Sequence, residues 1–195
     1  MPGTHQPAAH RRGRHRSGVS GVTEWKRGYV QVYTGDGKGK TTAALGLALR
    51  VAGAGLRVFI AQFVKGMEYS ELRALEQFDE IEVRRYGRGC FIRKEPSPED
   101  IEAAHAGLAE AREELLSGDW DLVILDEANI AIFFDLFSVE DLLEVIAEKP
   151  EGVELVITGR RADPRVIEAA DLVTEMREVK HYYEQGVQAR KGIEN

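Results

Sequence analysis

Eight consecutive residues, Gly35, Asp36, Gly37, Lys38, Gly39, Lys40, Thr41 and Thr42, combine three glycines, two lysines and two hydroxyls in the stretch YTGDGKGKTTAALGLALR (33–50). That set suits polyphosphate. Glycines at 35, 37 and 39 permit backbone conformations closed to other residues, so successive N–H groups can converge on phosphate oxygens. Lys40 supplies a mobile charge for a phosphate chain, and Thr41 a hydroxyl for Mg²⁺. A helix beginning near Lys40 adds the positive end of its dipole, and Lys38 a second cation. The usual phosphate-loop pattern is G-x-x-x-x-G-K-[ST]. Here Thr34 stands where the first glycine belongs, and Gly35 is displaced inward, leaving three residues before Gly39. A glycine-rich hairpin turn would account for the glycines. It would not account for Gly-Lys-Thr between a strand and a helix.

Asp126 and Glu127 directly follow the apolar run LVIL (122–125). At the carboxyl end of a strand in an open α/β sheet they face the ligand crevice, where they can hold Mg²⁺ directly or through water. Two acids after a strand also make an ordinary solvated turn. Thr158-Gly159-Arg160-Arg161 follow another apolar run, so Arg160 can contact a triphosphate or simply pair with a neighbouring acid. Lys65, after RVFIAQF (57–63), carries the same two readings.

Groups for acid–base or nucleophilic work are scarce. Outside the N-terminal tail the only histidines are His105 and His181, and Cys90 is the only cysteine. His105 falls within an amphipathic helix and reads as a packing or surface residue. Cys90 reads as a small hydrophobe. No Cys/His spacing suggests zinc.

The elements that must position these residues alternate in type. Strands are expected at 29–33, 57–63, 81–86, 122–125, 153–158 and 172–176. Helices are expected from Thr41 to about Ala52, over 70–77, after Ser97-Pro98, after Ser138 and after Asp163-Pro164. Ser97 with Asp100, and Ser138 with Asp141, have the spacing of capping boxes. The helix after Ser97 places Ile101, Ala104, Leu108, Ala111 and Leu115 on one face. Strand–helix alternation with continuously apolar strands implies an α/β fold around a buried parallel sheet.

The 195 residues suffice for one well-buried core, and no apolar run approaches a membrane span. Residues 1–27 carry a net +5, read as a flexible basic tail, ahead of a single domain over 28–195 with net charge −12. An acidic body argues against a broad nucleic-acid footprint. With one cysteine no intrachain disulfide is possible, and a cytoplasmic location is expected.

The chain resembles the ATP-dependent corrinoid adenosyltransferases of the phosphate-loop type. The stretches that carry the resemblance are YTGDGKGKTTAALGLALR (33–50), QFVKG (62–66), LVILDEANIAI (122–132), VITGRRADPRVIEAADLVTEMREVKH (156–181) and GVQARKGIE (186–194). The resemblance implies a P-loop NTPase-like (RecA-like) domain, with a mostly parallel central sheet flanked by helices. It also implies that a Co(I) corrinoid attacks the 5′ carbon of ATP and that the whole triphosphate leaves. No protein base is then needed. ATP would bind at Gly35, Asp36, Gly37, Lys38, Gly39, Lys40, Thr41, Thr42 and Arg160. Lys40 and Thr41 would serve the departing triphosphate, and Thr41, Asp126 and Glu127 would hold Mg²⁺.

Members often carry a tryptophan and other aromatics in the loop after the third strand, against the corrinoid. Here that loop offers only Phe91, which is assigned this role. The resemblance further implies a homodimer, with Val22–Arg27 and Trp25 closing over a partner's site, and a separate corrinoid reductant. Two other functions remain open: a phosphotransferase or ATPase cutting at the γ-phosphate, and a non-catalytic nucleotide or corrinoid carrier. The offset loop is expected to leave the 5′ carbon exposed. Lys40→Ala is expected to spare the fold, on the view that the loop faces solvent.

Overall fold

The computed structural model describes residues 26–64, 70–87 and 95–194. In chain order these form β1 (Val30–Thr34), α1 (Lys40–Gly53), β2 (Val58–Phe63), α2 (Ser70–Leu75), β3 (Ile81–Tyr86) and α3 (Pro98–Leu116). They continue as β4 (Leu122–Asp126), α4 (Ala128–Phe133), α5 (Val139–Glu148), β5 (Glu154–Thr158), α6 (Pro164–Ala169), β6 (Leu172–Glu175) and a 3₁₀ turn, Tyr182–Gln185. The six strands make one sheet in the order β3-β2-β4-β5-β1-β6, and every pairing is parallel.

Successive strand residues face opposite sides of a sheet, and here both sides are buried. Val58 and Ile60 of β2, with Leu122 and Ile124 of β4, pack under Ala44, Ala48 and Val51 of α1. Phe59, Ala61 and Phe63, with Val123 and Leu125, face the other layer, which is built from α3, α4, α5 and α6. That is why these strands read as unbroken apolar runs. Each fully buried Leu, Ile or Phe removed from water contributes roughly 1.5–3 kcal/mol.

Both expected capping boxes form. The Ser97 and Ser138 hydroxyls accept from Asp100 N and Asp141 N, and each carboxylate accepts in return from its serine N–H. They fix where α3 and α5 begin, and so how those helices lie on the sheet. His105 is exposed on α3.

Three features differ from the sequence expectation. α4 starts immediately after β4, where no helix was foreseen. Tyr182–Gln185 form a turn of 3₁₀ helix. β6 is an edge strand paired only with β1, and all four of its residues are exposed. Its apolar letters suggested a buried strand, but no helix of the described residues covers it.

Candidate functional site

The site stands on the carboxyl edge of the sheet, where the apolar strands end in polar residues. Register pairs Gln62 with Asp126, and Tyr33 with Thr158. Gln62, Asp126, Thr158 and Thr34 are all buried. Parallel strands of matched length therefore deliver a row of hydrogen-bonding groups to one rim.

The loop between β1 and α1 leaves Thr34 through Gly35 at φ 92° and enters the helix through Gly39 at φ 114°. Both are conformations that glycine adopts without strain. Close packing adds a second demand. Gly37 N donates to Met176 O at 2.7 Å, and Met176 N to Thr34 O at 2.8 Å, so the loop lies on the end of β6. A Cβ on Gly35 would sit 2.5 Å from Met176 O. Gly35→Ala is therefore expected to destabilise the protein by roughly 2–4 kcal/mol and to abolish nucleotide binding. Thermal unfolding and ATP titration check this, and a variant with wild-type values for both would refute it.

Lys40 is not in a solvent-facing loop as expected. It is the first residue of α1 and only 7% exposed. Its Nζ donates to Gly35 O at 2.6 Å and to Gly37 O at 2.8 Å, so the ammonium fills the mouth of the loop. Burial, followed by the nearby Arg160 cation, lowers its pKa from the ordinary lysine value. An anion bound there would offset both effects. Among the described residues no hydrogen bond or ion pair engages the Arg160 guanidinium, which borders the same cleft. Arg161 is turned elsewhere, 4.0 Å above the Phe133 ring.

Thr41, Asp126 and Glu127 come together. Thr41 Oγ1 donates to Asp126 Oδ1 at 2.9 Å, Thr158 Oγ1 donates to the same oxygen at 2.7 Å, and Gln62 Nε2 donates to Oδ2 at 3.1 Å. Thr158 Oγ1 also accepts from Glu127 N at 3.0 Å. Glu127 caps α4 in the left-handed conformation, φ 62°, which costs energy for a residue with a Cβ, and it lines the cleft. Thr158 and Gln62 were not singled out by sequence. A polar residue at the last strand position, level with an acid on the neighbouring strand, was the available signal.

Hydroxyl and carboxylate oxygens are the hard donors Mg²⁺ prefers, and it keeps sites for phosphate and water. No cluster of three or more Asp, Glu, His or Cys that could cage a metal exists among the described residues. The set fits a Mg²⁺ that arrives with a polyphosphate.

Above these groups opens a cleft of about 1000 Å³, the upper end of the usual range for small-molecule sites, roughly 300–1000 Å³. Its lining includes the cations Lys38, Lys40 and Arg160 and the acids Glu71, Glu127 and Glu194. The remainder includes apolar side chains such as Leu45, Leu49, Ile130 and Phe134. Gly35 and Asp36 do not border it, whereas Gly37, Gly39, Thr41 and Thr42 do. Phe91, Lys65, Cys90 and Trp25 lie outside the described residues. No helix among the described residues is long and apolar enough to cross a membrane.

Comparison with known proteins adds two findings. Residues 26–195 match the family described as ATP:corrinoid adenosyltransferase BtuR/CobO/CobP. Among curated proteins, a corrinoid adenosyltransferase of Pseudomonas aeruginosa is 37% identical, over 87% of this chain and 84% of its own. That of Escherichia coli K12 is 34% identical over 87% and 86%, and that of Salmonella typhimurium is 33% identical over the same shares. Among solved structures, a KaiC-like protein of Pyrococcus horikoshii superposes with a TM-score of 0.51 at 15% identity, covering 79% of this chain and 74% of that one. At that identity the likeness speaks for the fold alone, a P-loop NTPase-like, RecA-like α/β sheet.

Proposed function

Because the chain belongs to the ATP:corrinoid adenosyltransferase family, we propose that its cleft aligns the 5′ carbon of ATP with a Co(I) corrinoid and holds the triphosphate as the leaving group. ATP-dependent adenosyl transfer to a corrinoid is the enzymatic activity of that family. The observation that carries the residue-level reading is the mixed lining of the cleft, which joins the cations Lys38, Lys40 and Arg160 with apolar side chains such as Leu45, Leu49, Ile130 and Phe134. In the step itself the cobalt electron pair forms the bond to C5′. The C5′–O bond breaks, its electron pair stays on the triphosphate, and no proton moves.

The protein therefore has to orient the partners and stabilise charge on the departing oxygens. Lys40, Lys38 and Arg160 face that charge, and the loop and helix amides from Lys38 to Thr42 cradle it. Thr41, Asp126 and Glu127 would hold Mg²⁺, which when bound supplies further neutralisation of the phosphates. Phe91 is proposed to contact the corrinoid. A homodimer, a separate reductant for the cobalt, a cytoplasmic location and a single catalytic domain over 28–195 complete the proposal.

One feature favours a second reading. The Glu127 carboxylate lines the cleft, where a base for ordinary γ-phosphate cleavage could stand. The products distinguish the two. Incubated anaerobically with ATP, Mg²⁺ and chemically reduced corrinoid, the protein should yield a light-sensitive cobalt–carbon product and intact triphosphate. ADP without that product would overturn the proposal. Running cobalamin beside an incomplete corrinoid would also reveal the preferred substrate.

A further inference from the structure

Tyr182 and the segment around Glu194 return to the phosphate loop. Lys38 Nζ donates to Tyr182 Oη and to Glu194 Oε1, both at 2.9 Å. The Tyr182 hydroxyl is also bonded to Glu194. Glu194 Oε2 accepts from Arg190 N at 2.8 Å, and Oε1 from Arg190 Nη2 at 3.2 Å. Lys38 and Arg190 flank the Tyr182 ring, 5.5 and 5.0 Å from its centre. Gly192, Ile193 and Glu194 form part of the cleft wall beside Lys40 and Arg160.

A carboxylate thus stands against one of the cations meant for phosphate. Carboxylate and phosphate oxygens present the same charge-assisted acceptor to an ammonium, and a lysine has three donors, two of which are already used here. We propose that Glu194 stands in for a phosphate oxygen at Lys38, holding this cation in the empty site and competing for it with the triphosphate product, whose departure it thereby speeds. The inference rests on the reading of the cleft as the triphosphate site.

The chemistry gives such a residue a use. A site built to stabilise a departing triphosphate holds that product tightly, and product release limits many enzymes. An anion tethered to the same chain has a high effective concentration and needs no diffusion to compete.

The test measures equilibrium binding of inorganic triphosphate, with Mg²⁺, to the wild-type protein, Glu194→Gln, Lys38→Ala and the double variant. Glu194→Gln should bind triphosphate about tenfold more tightly, because a like charge has left the site. Its kcat should fall as product release slows. Lys38→Ala should bind more weakly, and the double variant should show no gain from the glutamine. Unchanged or weaker binding by Glu194→Gln would make Glu194 a mere prop for Lys38 and overturn the proposal, leaving the cleft assignment intact. Wild-type protein that binds no triphosphate would remove both. Glu194→Ala is the second variant, with the same expected direction. Loss of the fold in both variants would make Glu194 a structural anchor and end the competition argument.

Discussion

Lys40→Ala should lower kcat/KM for adenosyl transfer by roughly 10²–10³, the usual consequence of deleting a donor aimed at developing negative charge. It should also weaken the fold. Nζ bonds to the carbonyls of Gly35 and Gly37 inside a nearly buried pocket. Two such hydrogen bonds are together worth about 1–3 kcal/mol. Losing them leaves the carbonyls of Gly35 and Gly37 without that partner. Lys40→Arg should not restore activity, because a planar fork cannot replace a point charge in so small a space. Steady-state kinetics and denaturant unfolding read the two effects separately. Near-wild-type kcat/KM in Lys40→Ala would remove the residue from the chemistry.

Asp126 carries the second large effect. Its two oxygens accept from the Thr41 and Thr158 hydroxyls and the Gln62 amide, and the residue is only 1% exposed. Asp126→Ala strands these donors, so a destabilisation of about 3–5 kcal/mol is expected. Asp126→Asn keeps the shape, and the threonine hydroxyls can rotate to accept from its amide, so about 1–2 kcal/mol is expected. Activity orders differently. Both variants remove the charge proposed to support Mg²⁺, and both should lose about 10²-fold or more in turnover at saturating Mg²⁺. Unfolding curves and Mg²⁺ titrations provide the comparison. Asp126→Asn with full activity would place the metal elsewhere.

The sheet was readable from its letters because strands β2, β4 and β5 are buried on both faces and so are apolar over most of their length. Helices α3 and α5 were readable from their serine–aspartate caps. α4 was not. Its six residues, ANIAIF, follow a strand directly and carry no polar face to give a helical period. What starts the helix is the left-handed backbone of Glu127, which residue type does not announce.

The same division holds in the site. Glycine spacing marks the loop in the sequence, because backbone freedom is written in residue type. The burial of Lys40 was invisible, since it arises from how the loop folds over its own first helical residue. In the sequence Thr158 is only the end of an apolar run, ahead of Gly159 and two arginines. Its bridging of Asp126 and Glu127 depends on β5 lying beside β4, a fact of sheet order rather than of spacing.

The phosphate loop is closed by partners that the ribosome makes long after the loop itself. Gly37 is tied to Met176, and Lys38 to Tyr182 and Glu194. Synthesis runs from the N-terminus, and a nascent chain folds as it emerges. The loop residues therefore appear well before the segment that braces them. A chain halted shortly after β5 would carry the full glycine–lysine motif and five of the six strands, yet none of those closing contacts. Nucleotide can stabilise the finished protein, but it cannot act as an early folding aid through those contacts, which are absent until residues 176–194 have docked.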